Sequence, residues 1–151
     1  MPNSPAVDIA NRIIANGIGH TIPDDPSLPL VRAGFEPDEN NRILLTIYDT
    51  GGSPANPRWQ RDYPRIQVRV KASDEWGYSG AFDVQQQVKD LLLGTDPFTV
   101  LNSDMSETLY AGIWSQFDIS PLAPDYNKRP VLVASYRMVR EYSTTNREKI
   151  E

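Results

Sequence analysis

Few residues of this chain could carry chemistry, and they are scattered. The sharpest signal is Asp49-Thr50-Gly51, which follows an apolar run from Ile43 to Tyr48. A carboxylate on a tight turn after a strand acts as a general acid–base when a second carboxylate shares its proton, because two close like charges cannot both ionise. The chain holds one such triplet, so that chemistry would need a two-fold dimer. The bland reading of Asp49 is a turn residue bonding nearby backbone. His20 is the one histidine, and no neighbour in sequence is an obvious partner; a loop or half-buried histidine is the simpler reading. Cysteine is absent, which removes disulfides and thiolate sites, and a single histidine excludes a two-histidine metal site within one chain. Asp24-Asp25, Glu36–Glu39 and Asp74-Glu75 lack calcium-loop spacing and read as solvated turns. No phosphate loop, dinucleotide fingerprint or zinc-hydrolase helix is present. The residues therefore imply no cofactor and no metal.

The stretch around Asp49 is the least ordinary in the chain. Ile43–Tyr48 is β-branched and apolar, and Arg65–Lys71 alternates strictly; both read as strands. Between them, 49–64 holds Gly51-Gly52, Pro54, Pro57, Pro64, Trp59 and Tyr63. Connections in compact domains usually run about 4–6 residues, and those past about 12–15 are commonly functional or disordered. Aromatics argue against plain disorder. The segment is read as a long interaction loop. From Arg58 to Lys71 there are five basic residues (Arg58, Arg61, Arg65, Arg69, Lys71) and one acid, Asp62, within a chain of net charge −5. That local excess reads as a solvated sheet face or a charged subunit interface, with a DNA-reading role third because little else on the chain extends the patch. The acidic total argues against a general nucleic-acid binder.

The remaining elements supply the scaffold. Asn3 or Ser4 can cap a helix with Pro5 at its first position, whose Val7, Ala10, Ile13 and Ile14 recur at helical spacing, and Gly17 ends it. Leu30–Phe35 reads as a short strand able to form an antiparallel hairpin with Ile43–Tyr48. Tyr78–Leu93 carries a broad apolar stripe, giving a second helix closed by Gly94. Phe98–Leu101, Leu109–Phe117 and Val131–Val139 read as strands, with 118–129 a loop. Residues 143–151 are polar and read as a flexible tail. The expected fold is α+β: one domain over 1–151, with an antiparallel or mixed sheet of about five to six strands and two main helices packed on it. The sequence lacks a secretory signal pattern and any membrane-length apolar run.

The order Tyr48-Asp49-Thr50-Gly51-Gly52, then Asn56-Pro57 and Trp59, then Asp62-Tyr63-Pro64-Arg65-Ile66-Gln67-Val68-Arg69-Val70, resembles the tail terminator or minor capsid proteins of long-tailed bacteriophages. The Pro124–Pro130 lead into the last strand is similar as well. The resemblance implies a structural virion-assembly protein and no enzyme. It implies a ring, commonly a hexamer, at the head-proximal end of the tail. Such a ring ends tail-tube polymerisation and joins tail to head. Its partners would be further copies of itself, the tail-tube protein and the head connector or stopper, with DNA passing as non-specific cargo and no membrane involved. The expected location is the neck of the virion, after assembly in the host cytoplasm. The subunit contact expected from the loop and basic strand comprises Asp49, Gly51, Gly52, Arg58, Trp59, Arg61, Tyr63, Arg65 and Arg69. Alternatives are a head-completion or tail-tube protein, and a homodimeric aspartic protease built on Asp49-Thr50-Gly51.

Overall fold

The computed structural model describes residues 3–20, 29–36, 42–56, 61–73, 77–103, 105–122 and 129–142. The elements run α1 (Pro5–Ala15), β1 (Leu30–Ala33), β2 (Leu44–Asn56), β3 (Arg61–Lys71), α2 (Gly77–Leu93), β4 (Phe98–Leu101), β5 (Glu107–Leu122) and β6 (Val131–Tyr142). They build a six-stranded mixed sheet in the order β1-β2-β3-β6-β5-β4, with both helices on one side. The α+β reading therefore stands.

Strand alternation divides the sheet into two unlike faces. On the helix side Leu45 and Ile47 (β2), Ile66, Val68 and Val70 (β3), and Leu132, Ala134, Tyr136 and Met138 (β6) are buried. Against them α1 sets Ala6, Ile9, Ala10 and Ile13, and α2 sets Ala81, Val84, Val88 and Leu92, all in one cluster. Fully burying Ile9 or Ile13 is worth about 1.5–3 kcal/mol each. The helix α2 is pinned by a polar side chain as well. Gln85, wholly buried, donates its amide N–H to the carbonyls of Val68 (2.9 Å) and Leu132 (3.0 Å), bridging the two central strands.

Three expectations need correction. The pairing of β1 with β2 is parallel, Leu30 to Leu44 through Ala33 to Ile47, and not an antiparallel hairpin. Gly34 (φ +85°) turns the chain out of the sheet, and the Glu36 carboxylate meets the Lys71 ammonium at 2.6 Å. Lys71 sits opposite Leu44, so the chain has returned to the start of β2 before it re-enters the sheet.

The loop expected over 49–64 is largely strand, because β2 runs on to Asn56 and β3 starts at Arg61. Proline argues against a central strand, but β1 covers just Leu44–Ile47, and among the described residues one side of β2 beyond Ile47 is an edge, where proline is tolerated. The excess residues are absorbed by register shifts between Asp49 and Gly52 and between Ser53 and Asn56. Likewise β5 continues past Phe117 to Leu122, shortening the loop expected from 118. The tail expected at 143–151 lies outside the described residues.

Candidate functional site

The side of the sheet away from the helices gathers the unusual residues. Cross-strand register sets them in rows. Arg65, Arg137 and Trp114 form one row across β3, β6 and β5; Tyr48, Gln67, Ser135 and Phe117 form the next. Below them lies Arg32, Thr46, Arg69, Val133 and Ser120. Trp114 (41% exposed) and Phe117 (66%) stand on this face without cover.

Arg65 and Arg137 are direct cross-strand neighbours. Like charges facing each other across a ladder destabilise it. Among the described residues neither they nor Arg69 makes an ion pair, and the Nε atoms of Arg65 and Arg69 are buried with no hydrogen-bond partner. Two of the guanidinium groups lie beside aromatic rings instead: Arg137 is 5.7 Å from the Trp114 ring centre and Arg69 is 5.5 Å from that of Tyr48. Such contacts hold the planes in place at about 0.5–1 kcal/mol each. The Tyr48 phenol is held above its usual range, first by burial and then by the Glu36 carboxylate. This face can accept carboxylates bidentately while burying aromatic surface.

The expected contact residues divide by what each does here. Asp49 is committed to α1. Its carboxylate accepts from the Ser4 hydroxyl (2.5 Å) and from the Ala6 N–H (3.0 Å), one oxygen to each, at the helix N-terminus. An anion there meets both open N–H groups and the positive end of the helix dipole. The capping role, unlike the turn role expected from sequence, binds two distant elements. Gly51 adopts φ +82° in the bulge, and a Cβ on Gly52 would lie 2.2 Å from the Tyr63 carbonyl oxygen. Tyr63 pairs with Ser53 in the ladder. Arg61 donates its Nε–H to Glu141 at 2.9 Å. Arg65 and Arg69 stand on the open face. Arg58 and Trp59 lie outside the described residues, as do Asp24, Asp25 and residues 37–39. His20 joins Leu30 in an isolated parallel bridge ahead of β1.

Sequence reasoning missed Arg137, Trp114 and Phe117 as members of this face. The signal was present: Arg137 lies between Tyr136 and Met138, which share the buried side, so it had to point the other way. What could not be read was which strands flank β3, and so which distant residues its arginines meet.

A second polar assembly fixes the N-terminal end of α1. Asp8, 2% exposed, accepts from the Tyr110 hydroxyl at 2.5 Å and from the Asn3 amide at 3.1 Å. Arg140 grips both oxygens of Asp62 (2.8 and 3.0 Å) and donates to the Asn3 carbonyl (2.9 Å). Asn102 accepts from the Asn3 N–H at 3.0 Å. These groups satisfy one another, and buried polar groups that do so specify an arrangement.

Among the described residues no cluster of three or more His, Cys, Asp or Glu suited to a metal occurs, and no helix is long and apolar enough to cross a membrane. Compared with known proteins, the chain matches over residues 12–142 the model of a family described as "Bacteriophage tail terminator protein". No curated protein matches it.

Proposed function

Since the chain belongs to the bacteriophage tail terminator family, a family of structural virion proteins, we propose that it acts by closing into a ring at the head-proximal end of the tail. The family match over residues 12–142 is the observation that carries this reading. The ring, commonly six-fold, stops growth of the tail tube, joins it to the head connector or stopper, and lets DNA through its lumen. Assembly takes place in the host cytoplasm and the finished ring lies in the neck of the virion. No catalytic step is involved, in keeping with an Asp49 whose two oxygens serve α1.

Head-to-tail contact joins two different patches and closes when the rotation between copies closes. Asp49, Gly51, Gly52, Arg61 and Tyr63 on β2 and β3 border one patch, and Arg58 and Trp59, which lie outside the described residues, are assigned to the same contact from the sequence alone. Its centre is the open face with Arg65, Arg69 and Arg137. The rest of an acidic molecule, 20 Asp and Glu against 15 Lys and Arg, offers the complement. Charges so placed govern encounter rate and register more than affinity. A net-acidic lumen wall lets DNA slide, because phosphate binding is driven by basic neutralisation.

Electron microscopy and mass measurement of the purified protein, alone and with tail tubes, test the reading. Rings capping the tubes are expected. The Arg65→Glu, Arg137→Glu double variant should stay folded and lose ring formation by at least about tenfold, as reversing desolvated interface charges costs several kcal/mol. A strict two-fold dimer with peptidase activity abolished by Asp49→Asn would overturn the proposal.

A further inference from the structure

Helix α2 is apolar on two sides. Its buried stripe, Ala81, Val84, Val88 and Leu92, packs on the sheet. A second line, Tyr78, Phe82 and Leu93, is 38–48% exposed, and the spacing of these residues keeps them on one side of a helix. The Tyr78 and Phe82 rings stack 6.5 Å apart and line a shallow recess with Ser79 and Asp83. Beside this line stand Asp83 and Asp90, both exposed and, among the described residues, in no ion pair. The Asp90 carboxylate accepts from the Gln86 amide at 3.0 Å. Lys89, in the line itself, is paired with Asp118 at 3.0 Å, so it brings its stem rather than a free charge. Contiguous exposed apolar surface rimmed by charge marks a place of contact.

The far side of the sheet carries the counterpart. Trp114, Phe117 and Leu122 run down β5, all exposed, with Arg137 on β6 and Arg65 and Arg69 on β3 beside them. The two surfaces have the same length. Tyr78 to Leu93 spans about 22 Å of helix, and Trp114 to Leu122, level with Arg65 to Lys71, spans about 20 Å of sheet. Asp83 and Asp90 are about 10 Å apart along the helix, and the Arg65–Arg137 row is about 13 Å from Arg69. Handedness selects the direction. Leu30, on the open side, donates its N–H toward β2, to the Ile43 carbonyl at 2.9 Å. For L-residues this sets β6 and β3 to the right of β5 when the open side is viewed with β5 rising. On a right-handed helix viewed from outside with its C-terminus up, Asp83 and Asp90 lie to the right of the apolar line. Brought face to face, the acids meet the arginines when α2 runs antiparallel to β5. Leu93 then rests on Trp114, and Tyr78 and Phe82 flank Leu122. Asp90 reaches Arg137 and Arg65, and Asp83 reaches Arg69.

We infer that the outer side of α2 in one copy docks on the open sheet face of the next, antiparallel to β5, with Asp83 and Asp90 set against the arginines. The occupant of the face is a second copy of this chain. Apolar surface supplies the area, and carboxylate–guanidinium pairs fix the register. The contact joins two different surfaces, so it is heterologous and repeats from copy to copy until the rotation closes. Tyr78, Phe82 and Leu93 stand beside the buried stripe of α2 and not opposite it, so successive sheets meet at an angle, as copies in a ring must. This rests on the ring reading and names the surface that its arginines meet.

The chain has no cysteine, which permits a clean test by crosslinking. Leu93→Cys is combined with Trp114→Cys, and Phe82→Cys with Leu122→Cys. Within one chain the sheet separates the two members of each pair, and a ladder of covalent multimers arises only from bonds between copies. On mild oxidation both pairs should give a ladder ending at the subunit number of the ring, and single-cysteine variants should not. Leu93→Cys with Leu122→Cys should give none, because antiparallel docking holds them about 20 Å apart, whereas a disulfide needs Cα atoms within about 7 Å. In parallel, the Asp83→Arg, Asp90→Arg variant should lower ring yield at least about tenfold, and adding Arg69→Asp and Arg137→Asp should restore it, the response of charges that face one another. Rings visible by microscopy, with no ladder from either matched pair and no loss on reversing the two acids, overturn the docking and leave the ring reading intact. A ladder from Leu93→Cys with Leu122→Cys in place of the matched pairs also overturns it. Monomers under every condition, tail tubes included, overturn both.

Discussion

Tyr110 and Tyr136 are both about 1% exposed, and they differ in one atom's company. The Tyr110 hydroxyl donates to Asp8, whereas the Tyr136 hydroxyl is buried without a partner. Removing a hydrogen bond to a buried carboxylate costs about 1.5–3 kcal/mol, while removing an unpaired buried hydroxyl is close to neutral or stabilising. Tyr110→Phe should therefore lower the unfolding midpoint in denaturant, and Tyr136→Phe should hold or raise it. Both phenols are pushed up from their ordinary value by burial, Tyr110 further by its bond to Asp8. A group whose pKa is raised by folding stabilises fully below its unfolded value, and that stability is lost as pH rises beyond it. The fold should thus weaken above about pH 10, where unfolded tyrosines ionise. Thermal melts between neutral and alkaline pH check this, and Tyr136→Phe should flatten the decline. None of this was legible in sequence. Tyr136 showed itself as a core residue by alternation, but the partner of Tyr110 lies 102 residues away on α1.

At the scale of elements, local patterns were the readable part. Both helices and the buried faces of β3 and β6 follow from spacing and caps, because each depends on residues near in sequence. The long β2 was hidden by its own glycines and prolines. Its bulge turns the hairpin past a place where the strand meets β3 too closely for any side chain. Gly52→Ala would force a Cβ to within 2.2 Å of a carbonyl oxygen that belongs to the ladder itself. A loss of about 2–4 kcal/mol is expected, from backbone displacement and broken pairing combined. Chemical denaturation would report it, and a fully stable Gly52→Ala would mean that the strands approach less closely than described. Parallel pairing of β1 was likewise hidden. The Glu36–Lys71 ion pair and the turn at Gly34 accompany it, and both become meaningful once the position of Lys71 opposite Leu44 is known. Of the candidate face, Arg65 and Arg69 were visible in the alternation of β3, and its other half waited on the strand order.

For the molecule as a whole, charge is unevenly spent: an acidic chain keeps uncovered arginines on one side of its sheet. If those arginines meet acidic surface of a neighbour, self-association should slow as salt rises from about 0.1 to 1 M, which shrinks the screening length from about 10 to 3 Å. Light scattering during assembly reads that rate, and a salt-independent rate would remove the arginines from the contact. The central strands also set an order of events. Arg61–Lys71 pairs with Val131–Glu141, far later in the chain, and the Asn3 carbonyl is held by Arg140. Contacts of such long separation are slow to form. On the ribosome, the earliest residues must wait for nearly the last ones before the sheet has a middle. A half-made chain therefore holds β1-β2-β3 and β5-β4 as two orphan halves, and the seam between them closes when synthesis has passed β6.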